Sequence, residues 1–102
     1  MLASFSVLPV GVGEALSEHV ARIIAIIDES GLEYRFGAME TTVEGGEDEV
    51  MSLIMKCHRA ARDTASRVLT SITIDDRAGA TGRLTGKIEG VERVLGRSIR
   101  RG

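Results

Sequence analysis

Cysteine, proline and aromatic side chains are nearly missing from this sequence, and each shortage removes a class of explanation. One cysteine, Cys57, cannot form an intramolecular disulfide or a multi-cysteine metal site. One proline, Pro9, leaves no polyproline segment. Two phenylalanines, one tyrosine and no tryptophan supply no stacking platform for nucleic-acid bases. Long hydrophobic runs are missing too, since none reaches the roughly 18 residues that span a bilayer. No basic stretch precedes the first apolar residues, so no secretory leader is expected. Neither sign of charge dominates: 13 Lys and Arg stand against 15 Asp and Glu, a net charge of −2. A nucleic-acid-binding protein would show a basic face. Here only the tail Arg97, Arg100, Arg101 is locally basic, and it reads as a solvated terminus. The 102 residues leave room for a single domain over 1–102, expected to be soluble and cytoplasmic.

What is present is a clear alternation of patterns. Leu2 to Leu8 sets Ala3, Phe5 and Val7 against Ser4 and Ser6, the period of a half-buried strand, and Pro9 is expected to end it. Val20, Ile23, Ile24 and Ile27 follow helical spacing, with Ser17 as the expected N-cap and Ser30-Gly31 as the stop. Leu32 to Phe36 and Thr41 to Glu44 read as two short strands around Gly37-Ala38-Met39-Glu40. A second helix is predicted from about Glu47 to about Ala61, with Val50, Leu53, Ile54 and Cys57 as its core stripe. Arg67 to Asp75 alternates again, Val68, Thr70, Ile72 and Ile74 on one side. A last helix is predicted from about Gly82 to Leu95. The order β-α-β-β-α-β plus a terminal helix predicts an α+β fold, a ferredoxin-like sandwich with an additional C-terminal helix.

Such a sheet leaves one face without the two main helices, and Ser4, Ser6, Ser71, Thr73 and Asp75 are expected there. Gly82, Gly86 and Gly90 recur every four residues, a ridge that another backbone can approach. Both features point to a homo-oligomer, a dimer or tetramer. Cys57 and His58 are neighbours on a helix and point about 100° apart, so they do not form a nucleophile and base; Cys57 reads as a core residue. Two histidines without a third spaced ligand make no metal site. Gly11-Val12-Gly13 lacks the remainder of a nucleotide-binding fingerprint. The segment Thr41-Thr42-Val43-Glu44-Gly45-Gly46 carries more information. Glu44 at a strand end can pair with a cationic or amidine-like ligand, and Thr41 can add a hydrogen bond; alternatively, Glu44 stabilises the helix that follows.

At these same residues the chain resembles the small thiamine-binding protein family. The resemblance is carried by Pro9-x-Gly11, Ser17-x-x-Val20, Ser30-Gly31-Leu32-x-Tyr34, Met39-x-Thr41-x-x-Glu44-Gly45 and Ile74-Asp75-Asp76-Arg77. It implies a ferredoxin-like fold, dimers joined through sheets that pair into tetramers, and binding of thiamine or its pyrimidine moiety without catalysis or a cofactor. On that basis the expected ligand contacts are Thr41, Glu44, Tyr34, Phe36, Met39 and Ser6. Glu44 would accept from the ligand's amino group, while Tyr34, Phe36 or Met39 would cover a ring face. Glu40 stands where the family commonly has glycine, and its long acidic side chain either crowds the pocket or adds a contact to a cation. No catalytic or metal-binding residue is expected. An intracellular carrier or sensor is the leading reading, and a structural oligomerisation module without a ligand is the alternative.

Overall fold

The computed structural model describes residues 1–100; Arg101, one of the three arginines of the basic tail, lies outside them. The elements follow the expected order: β1 (Leu2–Val10), α1 (Leu16–Glu29), β2 (Glu33–Phe36), β3 (Thr41–Glu44), α2 (Glu47–Arg62), β4 (Arg67–Asp75) and α3 (Arg83–Leu95). A single turn of 3-10 helix, Gly13–Ala15, leads into α1. The four strands form one sheet in the order β2-β3-β1-β4, every pair antiparallel. This is the ferredoxin-like α+β arrangement that the sequence predicts.

Two local expectations change. Pro9 does not end the first strand but lies within it, opposite Val68. Its missing N–H is tolerated because β1 has a strand neighbour on only one side at that point. Ser17 does not cap α1; the helix starts at Leu16 with Ala15 as its N-cap, two residues before the expected cap, and no side chain caps it. The 3-10 turn takes over that role through its own backbone bonds.

Cross-strand partners point to the same face of a sheet, so the register assigns every side chain. Ala3, Phe5 and Val43 pack with Ile23, Ile27, Val50, Leu53, Ile54, Cys57 and Ala61 in one core between the sheet and the helices α1 and α2. On α1, Ile23 and Ile27 take the buried positions, and Val20 and Ile24 are only half-buried. Ile72 and Ile74 lie opposite Phe5 and Ala3 and therefore face the helix side, yet they remain exposed at the sheet edge.

Leu2, Glu44, Glu33 and Asp75 are mutual partners at one end of the sheet and share the opposite face. There α3 returns and meets β3 and β2, so the face expected to be bare is half covered. Three contacts hold it. The Glu44 carboxylate accepts from the backbone N–H of Arg83 at 2.9 Å and of Leu84 at 3.0 Å, capping the helix. The Arg83 guanidinium donates twice to Asp75, both bonds at 2.8 Å, and Lys87 adds a third contact at 3.1 Å. Leu84 and Leu2 are each 8% exposed yet lie outside the main core, as a small second core beneath α3 requires. Gly82 sits before the helix with φ +63°, so the expected ridge shortens to Gly86 and Gly90, and among the described residues nothing outside the helix's own nearby backbone comes within 4 Å of the space a Gly86 side chain would occupy.

These anchors make α3 sensitive to acid. Burial alone raises the Glu44 carboxyl; the two amide donors, the Met1 ammonium and Arg83 outweigh it and hold the group below its ordinary value. Hydrogen bonds from Arg83 and Lys87 bring Asp75 down to about 2. Both folded-state values lie below the unfolded ones, so their stabilisation is complete above about pH 5 and disappears as pH falls through the folded values. Amide exchange in α3, relative to that in α2, should accelerate between about pH 4 and pH 2. Glu44→Gln should weaken α3 protection at neutral pH by about 0.5–2 kcal/mol while leaving α2 unchanged.

Candidate functional site

The sheet is split by a difference in strand length. β1 pairs with β4 along all nine residues, but β3 meets it only from Leu2 to Phe5. Among the described residues, the peptide edge of β1 on that side has no strand partner from Ser6 onward. The space that a longer β3 would fill is bounded instead by α1 and by the turn from Gly37 to Glu40. The result is a cleft of about 300 Å³, at the small end of the range for small-molecule sites. Val20, Ile24 and Phe36 give it apolar walls, and a shallower apolar groove along α1 continues from its mouth.

The turn is tightly built. The Gly37 N–H donates to the Glu40 carbonyl at 3.0 Å. A side-chain carbon on Gly37 would lie 2.8 Å from that same oxygen, which is backbone and cannot swing away. This fixes the path of Met39 and Glu40 over the cleft. Met39 is 88% exposed and Phe36 56%, so both present apolar surface at the rim. Thr41, by contrast, is 5% exposed, and among the described residues its hydroxyl has no hydrogen-bond partner. It lines the cleft, as does Ser6 on the open β1 edge.

Of the residues expected from the sequence, the fold therefore gathers Ser6, Phe36, Met39 and Thr41 at one cleft, together with Glu40. Tyr34 and Glu44 lie elsewhere. Tyr34 shares the helix side of the sheet, and its hydroxyl donates to Asp28 at 2.9 Å, tying β2 to α1. That hydrogen bond, with burial and the Asp28 charge, raises the Tyr34 pKa. Glu44 points to the other face, where its carboxylate is engaged by α3. Sequence reading missed the backbone edge of β1 and the α1 wall at Leu16 and Val20. The only signal for them was the unequal length of the apolar alternation in the first and third strands.

Outside the cleft the reactive side chains are occupied. Cys57 is fully buried, and burial pushes its thiol up to about 11. His58 Nδ1 meets the Thr70 hydroxyl at 2.6 Å, and His19 Nδ1 meets that of Thr64 at 2.9 Å. Among the described residues no cluster of His, Cys, Asp or Glu fits a metal ion, and no helix is long and apolar enough to cross a membrane. The cleft offers a flat apolar slot, a free peptide edge, the Thr41 hydroxyl and one carboxylate. Together these can hold a ring with a polar rim and balance a positive charge.

Known proteins share this sequence pattern and fold. Residues 3–92 match the family model for thiamine-binding proteins. A UPF0045 protein of Mycobacterium bovis is 40% identical over 96 residues, covering 93% of this chain and 94% of its own. A solved structure from Methanocaldococcus jannaschii superposes with a TM-score of 0.81 at 27% identity, over 88% of this chain and 93% of the other. A Thermotoga maritima structure, described provisionally as a thiamine biosynthesis/salvage protein, superposes with a TM-score of 0.78 at 29% identity, over 88% and 96%.

The turn gives a direct test of the cleft's construction. Gly37→Ala should lower unfolding stability by about 1–3 kcal/mol through overpacking against the Glu40 carbonyl. Denaturant melts of the two proteins, read by circular dichroism, measure the difference.

Proposed function

The chain belongs to the thiamine-binding protein family, and from that premise we propose that the cleft binds thiamine or its pyrimidine moiety as a carrier or sensor in the cytoplasm, without catalysis. The open edge of β1 is the observation that carries this reading. An aminopyrimidine presents a donor beside an acceptor on one side of a flat ring, the pattern of a peptide edge, so it can complete the unpaired strand as β3 does further along. Phe36 and Met39 cover the ring faces, and the free Thr41 hydroxyl supplies a further hydrogen bond. Ser6 contributes at the strand edge. Tyr34 and Glu44 act at one remove, by fixing β2 to α1 and α3 to the sheet. Titration calorimetry with thiamine and with hydroxymethylpyrimidine is the test. Thr41→Val should weaken binding by about 0.5–1.5 kcal/mol and Phe36→Ala by a similar amount. Glu44→Gln should leave affinity unchanged, and a wild type that binds neither compound at millimolar concentration would remove the reading.

The proposed assembly is a homodimer through β4, with tetramers formed by pairing dimers. β4 is a nine-residue edge with Leu69, Ile72 and Ile74 exposed. An antiparallel pair of copies centred on Ser71 sets Arg67 of each across from Asp75 of the other. The same register matches Val68 with Ile74 and Thr70 with Ile72, all on the helix side. Charge and apolar surface are thus self-complementary about a two-fold axis. Light scattering should give a mass at least twice 10.9 kDa. Ile72→Lys should return it toward the monomer value with the helical signal intact.

A further inference from the structure

Gly11-Val12-Gly13, between a strand and a helix, is the stretch most like a phosphate cradle, and it leads into α1 beside the cleft. A helix start with free N–H groups is the usual place for a phosphate. Here two of those groups are in use. The Ala15 amide donates to the Val12 carbonyl at 3.2 Å, and the Leu16 amide donates to the Gly13 carbonyl. Glu14 lies in the 3-10 turn and Glu18 in the first turn of α1, where carboxylates already answer the positive end of the helix dipole. Among the described residues, no Lys, Arg or His lines the cleft or its extension along α1. Glu40 is the one ionisable residue among the described residues of that lining, and its backbone is pinned by the Gly37 amide.

We propose that the cleft selects the unphosphorylated, cationic form of its ligand, and that Glu40 is the residue that sets this preference. The inference rests on the thiamine reading and deepens it. A thiazolium at the mouth meets a carboxylate of opposite charge. A phosphate ester brings a charge of about −1.5 to −2 to the same mouth and, among the described residues that line it, meets no cation to receive it. Glu40 thus acts in two directions, holding one form and repelling the other.

Calorimetry on the wild type and Glu40→Gln, with thiamine, thiamine monophosphate and hydroxymethylpyrimidine, tests this. The wild type should prefer thiamine to the monophosphate by about tenfold or more. Glu40→Gln should weaken thiamine about two- to fivefold, leave the uncharged pyrimidine within about twofold and narrow the preference over the monophosphate. Added salt should shrink the difference between wild type and variant for thiamine, which a purely structural effect of the substitution would not do. Monophosphate binding as tight as thiamine, or equal weakening of thiamine and pyrimidine in the variant, overturns the inference while the thiamine reading stands. Binding of none of the three by the wild type overturns both.

Discussion

The pairing of β1 with β4, unbroken from Leu2 opposite Asp75 to Val10 opposite Arg67, is the constraint from which the other features follow. It holds β1 extended for nine residues, more than twice the length of β3. The surplus of β1 becomes the unpaired edge that opens the cleft. The same ladder carries Asp75 to the end of the sheet where Glu44 also arrives, so that one carboxylate clamps Arg83 and the other caps the helix behind it. It also leaves the far side of β4 without a neighbour. Cleft, strap and free edge are three results of one long antiparallel pair beside a short one.

Much of this was legible in the sequence, because periodicity is a local property. Alternation in Arg67 to Asp75 and the i, i+3, i+4 spacing of the helices fix element type from neighbouring residues alone. The split of the expected site was legible too, from Thr41 and Glu44 standing three positions apart in one strand, which places them on opposite faces. The docking of α3 was not legible. It depends on contacts between Glu44 and Arg83, 39 residues apart, and no periodicity links them. The half-exposure of Ile72 and Ile74 also escaped pattern reading, since a residue's face follows from the strand but the reach of a helix over that face does not. Pro9 shows the same limit: its place inside β1 makes sense only once the missing neighbour is known.

The cleft's chemistry is set by backbone as much as by side chains. Its walls are apolar, its polar groups few, and its most regular feature is a strand edge that any residue sequence would present. Identity enters at the turn, where Gly37 permits the tight crossing and Glu40 places a carboxylate at the rim. On the proposed reading, a common scaffold is kept while the hairpin between two short strands decides what it accepts. The acidic residues around the start of α1 work in the same sense, removing an anion site that helix geometry would otherwise supply.

The β1–β4 ladder also orders events during biosynthesis. Of the four strands β1 is made first, and its longest partner is the last strand of the sheet, so the most extensive pairing joins residues from 57 (Val10 and Arg67) to 73 (Leu2 and Asp75) positions apart. Contacts of such sequence separation close slowly, because loop entropy is spent before they form. Until Asp75 has left the ribosome, β1 has only the short β3 to pair with, and the apolar side of the sheet stays incompletely covered. α3 emerges last, onto a face whose two anchoring carboxylates are by then already set side by side.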